Sequence, residues 1–180
     1  MDAPMQPFPL PTRPRRRLRR YSLTALAGLS MLVTQCAPQQ CAPAPSGSVA
    51  QQVVDLVNQQ RAAAGVAPLA MHLALNSAAQ RMSNDMAAHD TMYPAGQSRP
   101  HIGSDGTTAG QRIAAAGYAW RAWAENIAAG QPDAASVVQG WMSSAGHRTN
   151  ILNPGYTDIG VGLAYSASGV PYWTQDFAAG

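Results

Sequence analysis

The chain contains no lysine; all 12 of its basic residues are arginines. Six of these crowd into positions 13–20, in RPRRRLRR, and from Ser48 onward six arginines meet eight acids, a net of −2. The formal +3 of the whole chain therefore belongs to its first stretch. The remainder has no basic stripe, which argues against a nucleic-acid partner. Cysteine occurs twice, at Cys36 and Cys41. Beyond residue 41 there is none, so that part has neither a disulfide framework nor a thiol nucleophile, and its stability must come from core packing. Glutamate occurs once, at Glu125 in WAENIAAG. A chain that uses aspartate everywhere else suggests that reach matters at this position.

What the first stretch does contain is an export pattern. The arginine block precedes LTALAGLSMLV, residues 23–33, eleven residues without a charge. That length suits a signal-peptide core and is short for a bilayer span. Arg19-Arg20 before Tyr21, Ser22 and Leu23 loosely resembles a twin-arginine signal. Cys36 stands where a bacterial lipoprotein carries its lipidated cysteine, although Gln35 is bulky for the preceding position. Two readings stay open, a lipid on Cys36 or plain cleavage within 37–47. Either way the expected organisation is a signal peptide over 1–36, a Pro/Ala-rich linker over 37–47 and one domain over 48–180. The domain is expected outside the cytoplasm: extracellular, periplasmic or at the cell surface. Membrane contact would come only through the leader or the Cys36 lipid.

The domain opens with a helix from Ser48. Ser48 and Gln51 have capping-box spacing, Val49, Val53, Leu56 and Val57 recur at helical spacing, and Gly65 and Pro68 end it. A second helix is predicted over Leu73–His89, with Leu75, Ala79, Met82 and Met86 as a core stripe. His72 and His89 lie at its ends, and His89 is read as structural. Residues 90–106 form a long loop carrying His101, and long loops in compact domains are functional or disordered. Thr108 and Gln111 repeat the capping-box spacing for a short helix ending at Gly117. ENIAAG reads as extended, and Asp133 as the N-cap of a helix through Val137, Val138, Trp141 and Met142. Residues 159–165 alternate apolar with small residues, a strand with one apolar face. Tyr172–Phe177 return as a last strand covered on both sides.

The stretch WMSSAGHRTNILNP, residues 141–154, reads as a helix end followed by a tight turn. Ser143, Ser144 and Gly146 break the helix and place His147 at an element terminus. AENIAAG, GHRTNILNP, DIGVGLAY and YWTQDF, preceded by HIGSDG and QRIAAAGY, resemble in order and spacing the bacterial branch of the CAP superfamily. This superfamily holds the cysteine-rich secretory proteins, antigen 5 and the pathogenesis-related 1 proteins, also called SCP domains. The resemblance covers roughly residues 50–178. It implies an α+β fold, a three-layer α-β-α sandwich around a small, mainly antiparallel sheet. It also implies a central cleft of two histidines and two acids. Carried over by motif, these are His101 from HIGSDG, Glu125 from AENIA and His147 from GHRTN. The fourth position, three residues after Trp141, falls on Ser144, so this chain lacks the second acid there.

Three functions are open at this stage. The first is a non-enzymatic binding module, acting as a monomer, whose cleft takes a lipid, sterol-like or cell-wall ligand; such members exist in the superfamily. Met92, Tyr93, Ile102 and Trp120 are the apolar candidates around that cleft. The second is a hydrolase of peptides or glycans. His101, His147 and Glu125 make a reasonable zinc set with room for water, and Glu125 could serve as general base. A serine mechanism with Ser144 and His147 lacks a G-x-S-x-G elbow, and no arrangement that activates a nucleophile is readable. The third is a purely structural role in which the polar trio ties loops together. Asn126 and Asn150 are read as loop ties. Arg148 is expected to pair with Asp158 or another acid, and Gln175 to satisfy a buried backbone group or reach the cleft floor.

Overall fold

The computed structural model describes residues 47–93 and 100–180. The leader, the twin-arginine and Cys36 readings and nearly all of the linker lie outside these described residues, as does the middle of the loop that precedes His101.

Helix α1 (Val49–Ala63) begins where the Ser48 hydroxyl accepts the Gln51 amide at 3.2 Å. The Gln51 side chain donates to Asp55 instead of returning to Ser48, so this capping box is half formed. Val53, Val54 and Val57 are its buried stripe, whereas Val49 stays exposed. Arg61 on the same helix is fully buried and, among the described residues, pairs with no carboxylate. Its guanidinium donates to the carbonyls of Ala67, Ile151, Asn153 and Tyr156, stitching α1 to the chain that enters the sheet. Strand β1 (Ala70–Met71) was not apparent in the sequence, being two residues long. Helix α2 (Leu73–His89) has the predicted bounds and the predicted core face of Leu75, Ala79, Met82 and Met86. His89 returns its Nδ1 to the Asp85 carbonyl at 2.9 Å, a local helix-end contact. Helix α3 (Ala109–Ala115) carries the complete capping box of Thr108 and Gln111.

The remaining elements are strand β2 (Ala122–Ala129), helix α4 (Ala134–Ser143), helix α5 (Ala145–Ile151), and strands β3 (Asp158–Tyr165) and β4 (Pro171–Ala179). Asp133 caps α4 as expected, accepting the Ser136 amide at 2.7 Å. The sheet order is β1-β3-β4-β2, with β1 parallel to β3 and the other pairs antiparallel. Both faces of β4 are buried. Trp173 and Phe177 pack with Val53, Val57, Val138 and Trp141 from α1 and α4. On the other face Thr174 bonds Ser83 of α2, and Tyr172 and Ala178 pack toward α2 and α3. Helices thus cover the two faces of a small, mainly antiparallel sheet, the three-layer α+β sandwich that the sequence implied.

The small residues of β3 have a specific cause. A Cβ on Gly160 would stand 2.0 Å from the Leu75 carbonyl carbon, and one on Gly162 would stand 2.5 Å from that of Ala79. Helix α2 therefore lies with its backbone directly on the strand. That close approach lets Asn76 and Gln80 reach past β1 to the open edge of β3. Asn76 accepts the Val161 amide at 2.9 Å, and Gln80 both donates to and accepts from Leu163. Side-chain amides stand in for the missing strand and blunt that edge. At the opposite side of the sheet, β2 is also an edge strand, and the site is built around it.

Candidate functional site

Successive β2 side chains point to opposite faces of the sheet. Glu125 points to the α2–α3 face and Asn126 to the α4–α5 face, so groups from both layers meet at the β2 edge. On the first face Glu125 is almost fully buried. Its Oε2 accepts from Arg112 Nη2 at 2.6 Å, and its Oε1 lies 3.0 Å from His101 Nδ1. The single glutamate is needed for this double reach.

Arg112 organises the loop as well as the carboxylate. It sits on α3 with its side chain 1% exposed. Nη1 donates to the Thr107 carbonyl at 2.8 Å, and both Nη atoms approach the His101 carbonyl at 3.4 Å. His101 itself has φ +75°, a left-handed conformation that a non-glycine residue holds only when its surroundings fix it. Those surroundings are Arg112 and the turn that follows. In that turn Asp85 of α2 accepts the Ser104 amide and hydroxyl, and Asp105 accepts the Thr107 amide and hydroxyl. The Thr107 bonds, hydroxyl first, hold Asp105 down to about 2. A carboxylate on Nδ1 requires that nitrogen to carry a proton, so Nε2 is the ring nitrogen of His101 that Glu125 does not engage.

His147 stands on the other face. It is not on a turn, as the Ser and Gly cluster suggested, but in the first turns of α5. Ser144, at φ −94° and ψ 124°, ends α4 and starts α5 in one residue. The helix therefore breaks and restarts, because a single extended residue is enough to redirect it. The His147 carbonyl accepts from Asn126 Nδ2 at 3.2 Å; Asn126 also donates to Gln175 Oε1 and accepts from Asn150. Asn126 and Asn150 tie strand β2 to helix α5 and strand β4, where the sequence suggested ties to loops, and Gln175 meets a side chain rather than a backbone group. Arg148 donates to the Met142 carbonyl at 3.0 Å instead of pairing with Asp158, which takes the Tyr118 hydroxyl. Burial, then the nearby charge of His101, push the His147 imidazole below its ordinary value. His101 and Glu125 are thus in contact, and His147 lies near enough to feel the charge of His101 without a hydrogen bond to either.

Beside His147 lies a cleft of about 370 Å³ that runs along the β2 edge. Met92, Ile127, Val137 and Trp141 give it an apolar wall; Gln131, Ser144 and His147 supply polar groups. The Trp141 indole donates to the Ile127 carbonyl, sealing the strand edge at its floor. Of the four apolar candidates from the sequence, Met92 lines this cleft. Trp120 stands elsewhere, over Gly110, whose carbonyl takes its indole N–H at 2.9 Å, and Tyr93 and Ile102 are not among the lining residues. A larger groove of about 710 Å³ lies between α2 and β3, but it is wide open, and its Asn76 and Gln80 are spent on the strand edge.

Two site residues escaped the sequence reading. Arg112 looked like one more arginine on a short helix, yet it falls three residues after buried Ala109 and one before buried Ile113. Asp176 lies opposite Glu125 in the β2–β4 register and is fully buried. A charged residue inside a strand buried on both faces was the available signal. The second acid of this cluster comes from β4, not from the position that Ser144 occupies. Among the described residues no group of three or more His, Cys, Asp or Glu is placed to hold a metal. Both Glu125 oxygens are engaged, so Glu125 fits the place behind a histidine ligand rather than that of a ligand.

A profile of the Cysteine-rich secretory protein family, CAP, matches residues 54–177. The chain belongs to this family, on its bacterial branch. It is 39% identical over 136 residues to the Bacillus subtilis protein YkwD, a match covering 76% of this chain and 49% of YkwD. A crystal structure of an extracellular protein containing a SCP domain from Bacillus anthracis superposes with a TM-score of 0.64 at 30% identity, over 73% of this chain and 40% of that one. An outer surface protein from Borrelia burgdorferi shares the fold, with a TM-score of 0.62 at 19% identity, over 71% of this chain and 90% of that one. The chain spans about half the length of YkwD.

Proposed function

We propose that this is an exported CAP-domain binding module that takes a small apolar or amphipathic envelope ligand in the cleft along β2. The observation that carries the reading is the cleft itself. Its volume falls in the range of small-molecule sites, and an apolar wall with a few convergent polar groups is their usual composition. His147 and Ser144 offer polar partners to a ligand head group, and Met92 and Trp141 offer apolar contact to its tail. Export is supported by the arginine block and apolar core of residues 13–33. It is supported also by two relatives described as extracellular and outer-surface proteins. Among the described residues no helix is long and apolar enough to cross a membrane.

The hydrolase reading has less support. A general base must reach its proton, and Glu125 has both oxygens bonded and its side chain 1% exposed. A divalent metal such as zinc fits better as a two-histidine guest, held by His101 Nε2 and His147. The test of the main reading is titration of the purified chain with a dansylated fatty acid, competed by a sterol and by soluble wall fragments. Saturable binding displaced by one competitor class supports it and names the ligand class; no saturable binding overturns it.

A further inference from the structure

The cleft along β2 is a straight slot, because two regular elements form its long sides. One side is Ile127, Ala128 and Ala129 of β2, continued by Gln131. The other is Val137, Gly140, Trp141 and Ser144, positions i, i+3, i+4 and i+7 on one face of α4 and its cap. The helix runs back along the strand. Trp141 donates to the Ile127 carbonyl, and further on the His147 carbonyl takes the side chain of the preceding strand residue, Asn126. Ser144 and His147 therefore mark one end of the slot, and Gln131, in the connection between strand and helix, marks the other. The Gln131 carbonyl accepts the buried Trp173 indole at 2.8 Å, which pins that end to the sheet. The Trp141 bond also occupies the Ile127 carbonyl, an acceptor that an apolar chain lying on the strand edge would otherwise desolvate.

Length and volume each limit what fits. From residue 127 to 131 an extended chain advances at most about 13 Å. From 137 to 144 a helix advances about 10.5 Å. An extended alkyl chain gains about 1.25 Å per carbon, from bonds of about 1.5 Å meeting at about 111°, so about 8–10 carbons span the slot. The volume gives the same answer by another route. The 370 Å³ of the cleft is about twelve times the ~30 Å³ that a water takes in the liquid, and a methylene is of similar size. A ten-carbon acid, with about a dozen heavy atoms, meets both limits; a sterol has about twice that many in a rigid frame. On the basis of the binding role proposed for this cleft, we propose that it is a slot for one unbranched acyl chain of about 8–10 carbons, its polar end at Ser144 and His147. The rest of a longer chain stays in water, and fused rings do not enter.

The test is displacement of the dansylated fatty acid from the purified chain by saturated fatty acids of about six to sixteen carbons, each below its micelle concentration, with cholesterol alongside. Burial of a methylene corresponds to about a fourfold gain in affinity. Affinity should therefore rise about fourfold per added carbon up to about ten carbons, and by less than about 1.5-fold per carbon beyond. Cholesterol should leave the probe in place. A fourfold rise that continues to the longest acid overturns the proposal, as does an affinity that does not depend on length, or displacement by cholesterol as effective as that by decanoic acid. In each of those outcomes the probe still binds, so the binding role survives without the length limit. No saturable binding of the probe overturns both.

Discussion

Glu125 and Asp176 face each other across the paired strands β2 and β4, two buried carboxyls beside a single guanidinium, that of Arg112. Removing the cation strands a buried charge. Arg112→Met is therefore expected to cost about 3–5 kcal/mol, measured by urea unfolding. Arg112→Lys should recover little of this, because one ammonium cannot span the carboxylate and two loop carbonyls. A loss below about 1 kcal/mol, within the range of ordinary surface changes, would show that the cluster does not anchor the loop of His101.

The contact between α2 and β3 leads to a second prediction. Gly160→Ala drives a methyl group into the Leu75 backbone, where no side chain can yield. A destabilisation of about 3 kcal/mol or more is expected by thermal or urea unfolding, at the upper end for overpacking. A variant as stable as wild type would mean the helix rides higher on the sheet than described.

Asp176 makes stability depend on pH in an unusual direction. Its folded value is raised above the ordinary 3.8, so the folded state binds more protons than the unfolded one above that pH. The stabilisation is complete below the unfolded value and drains away as pH rises toward the folded value. Asp176→Asn lacks this term. Its stability relative to wild type should therefore climb with pH above about 4, by up to about 1.4 kcal/mol per pH unit. Unfolding free energies at several pH values check this; a flat or falling difference contradicts it.

Metal binding is tested without reference to activity. Calorimetric titration with zinc should show about one site on the wild type, abolished in His101→Ala and His147→Ala. The same site should survive, weakened by roughly 10-fold or more, in Glu125→Gln, because Glu125 acts behind the ligand. Equal loss in all three would return Glu125 to the ligand set, and no binding by the wild type would remove zinc from the account.

How much of this could be read from the chain depended on how local each cause was. Helix α2 was legible to the residue, since its core stripe and end signals lie within its own sequence. The capping box of α3 and the Asp133 cap were legible for the same reason. Strand β1 was not, because two residues carry no periodicity and their pairing to β3 is a long-range fact. Helix α5 was missed because Ser143, Ser144 and Gly146 signal a break, and nothing local says that the helix resumes after one residue. In the site, family motifs supplied His101, Glu125 and His147. The groups that orient Glu125 belong to no such motif. Arg112 and Asp176 come from a helix and a strand that meet only in the folded sheet, and Arg148 turned to a carbonyl of the preceding helix rather than to an acid.

The cleft along β2 can be closed with one side chain. Gly140 lies in α4 on the cleft wall, and a Cβ there meets nothing nearer than Gln131 Nε2 at 4.0 Å. Gly140→Leu should fold at least as well as wild type, because leucine is the better helix former by somewhat under 1 kcal/mol. Its side chain should fill the cleft. Measuring the affinity of the dansylated fatty acid for wild type and Gly140→Leu therefore addresses the function most directly. Saturable binding to the wild type, weakened at least about 100-fold in Gly140→Leu while Tm is kept, is the predicted result. Equal binding by the two proteins would show that the cleft is not the ligand site.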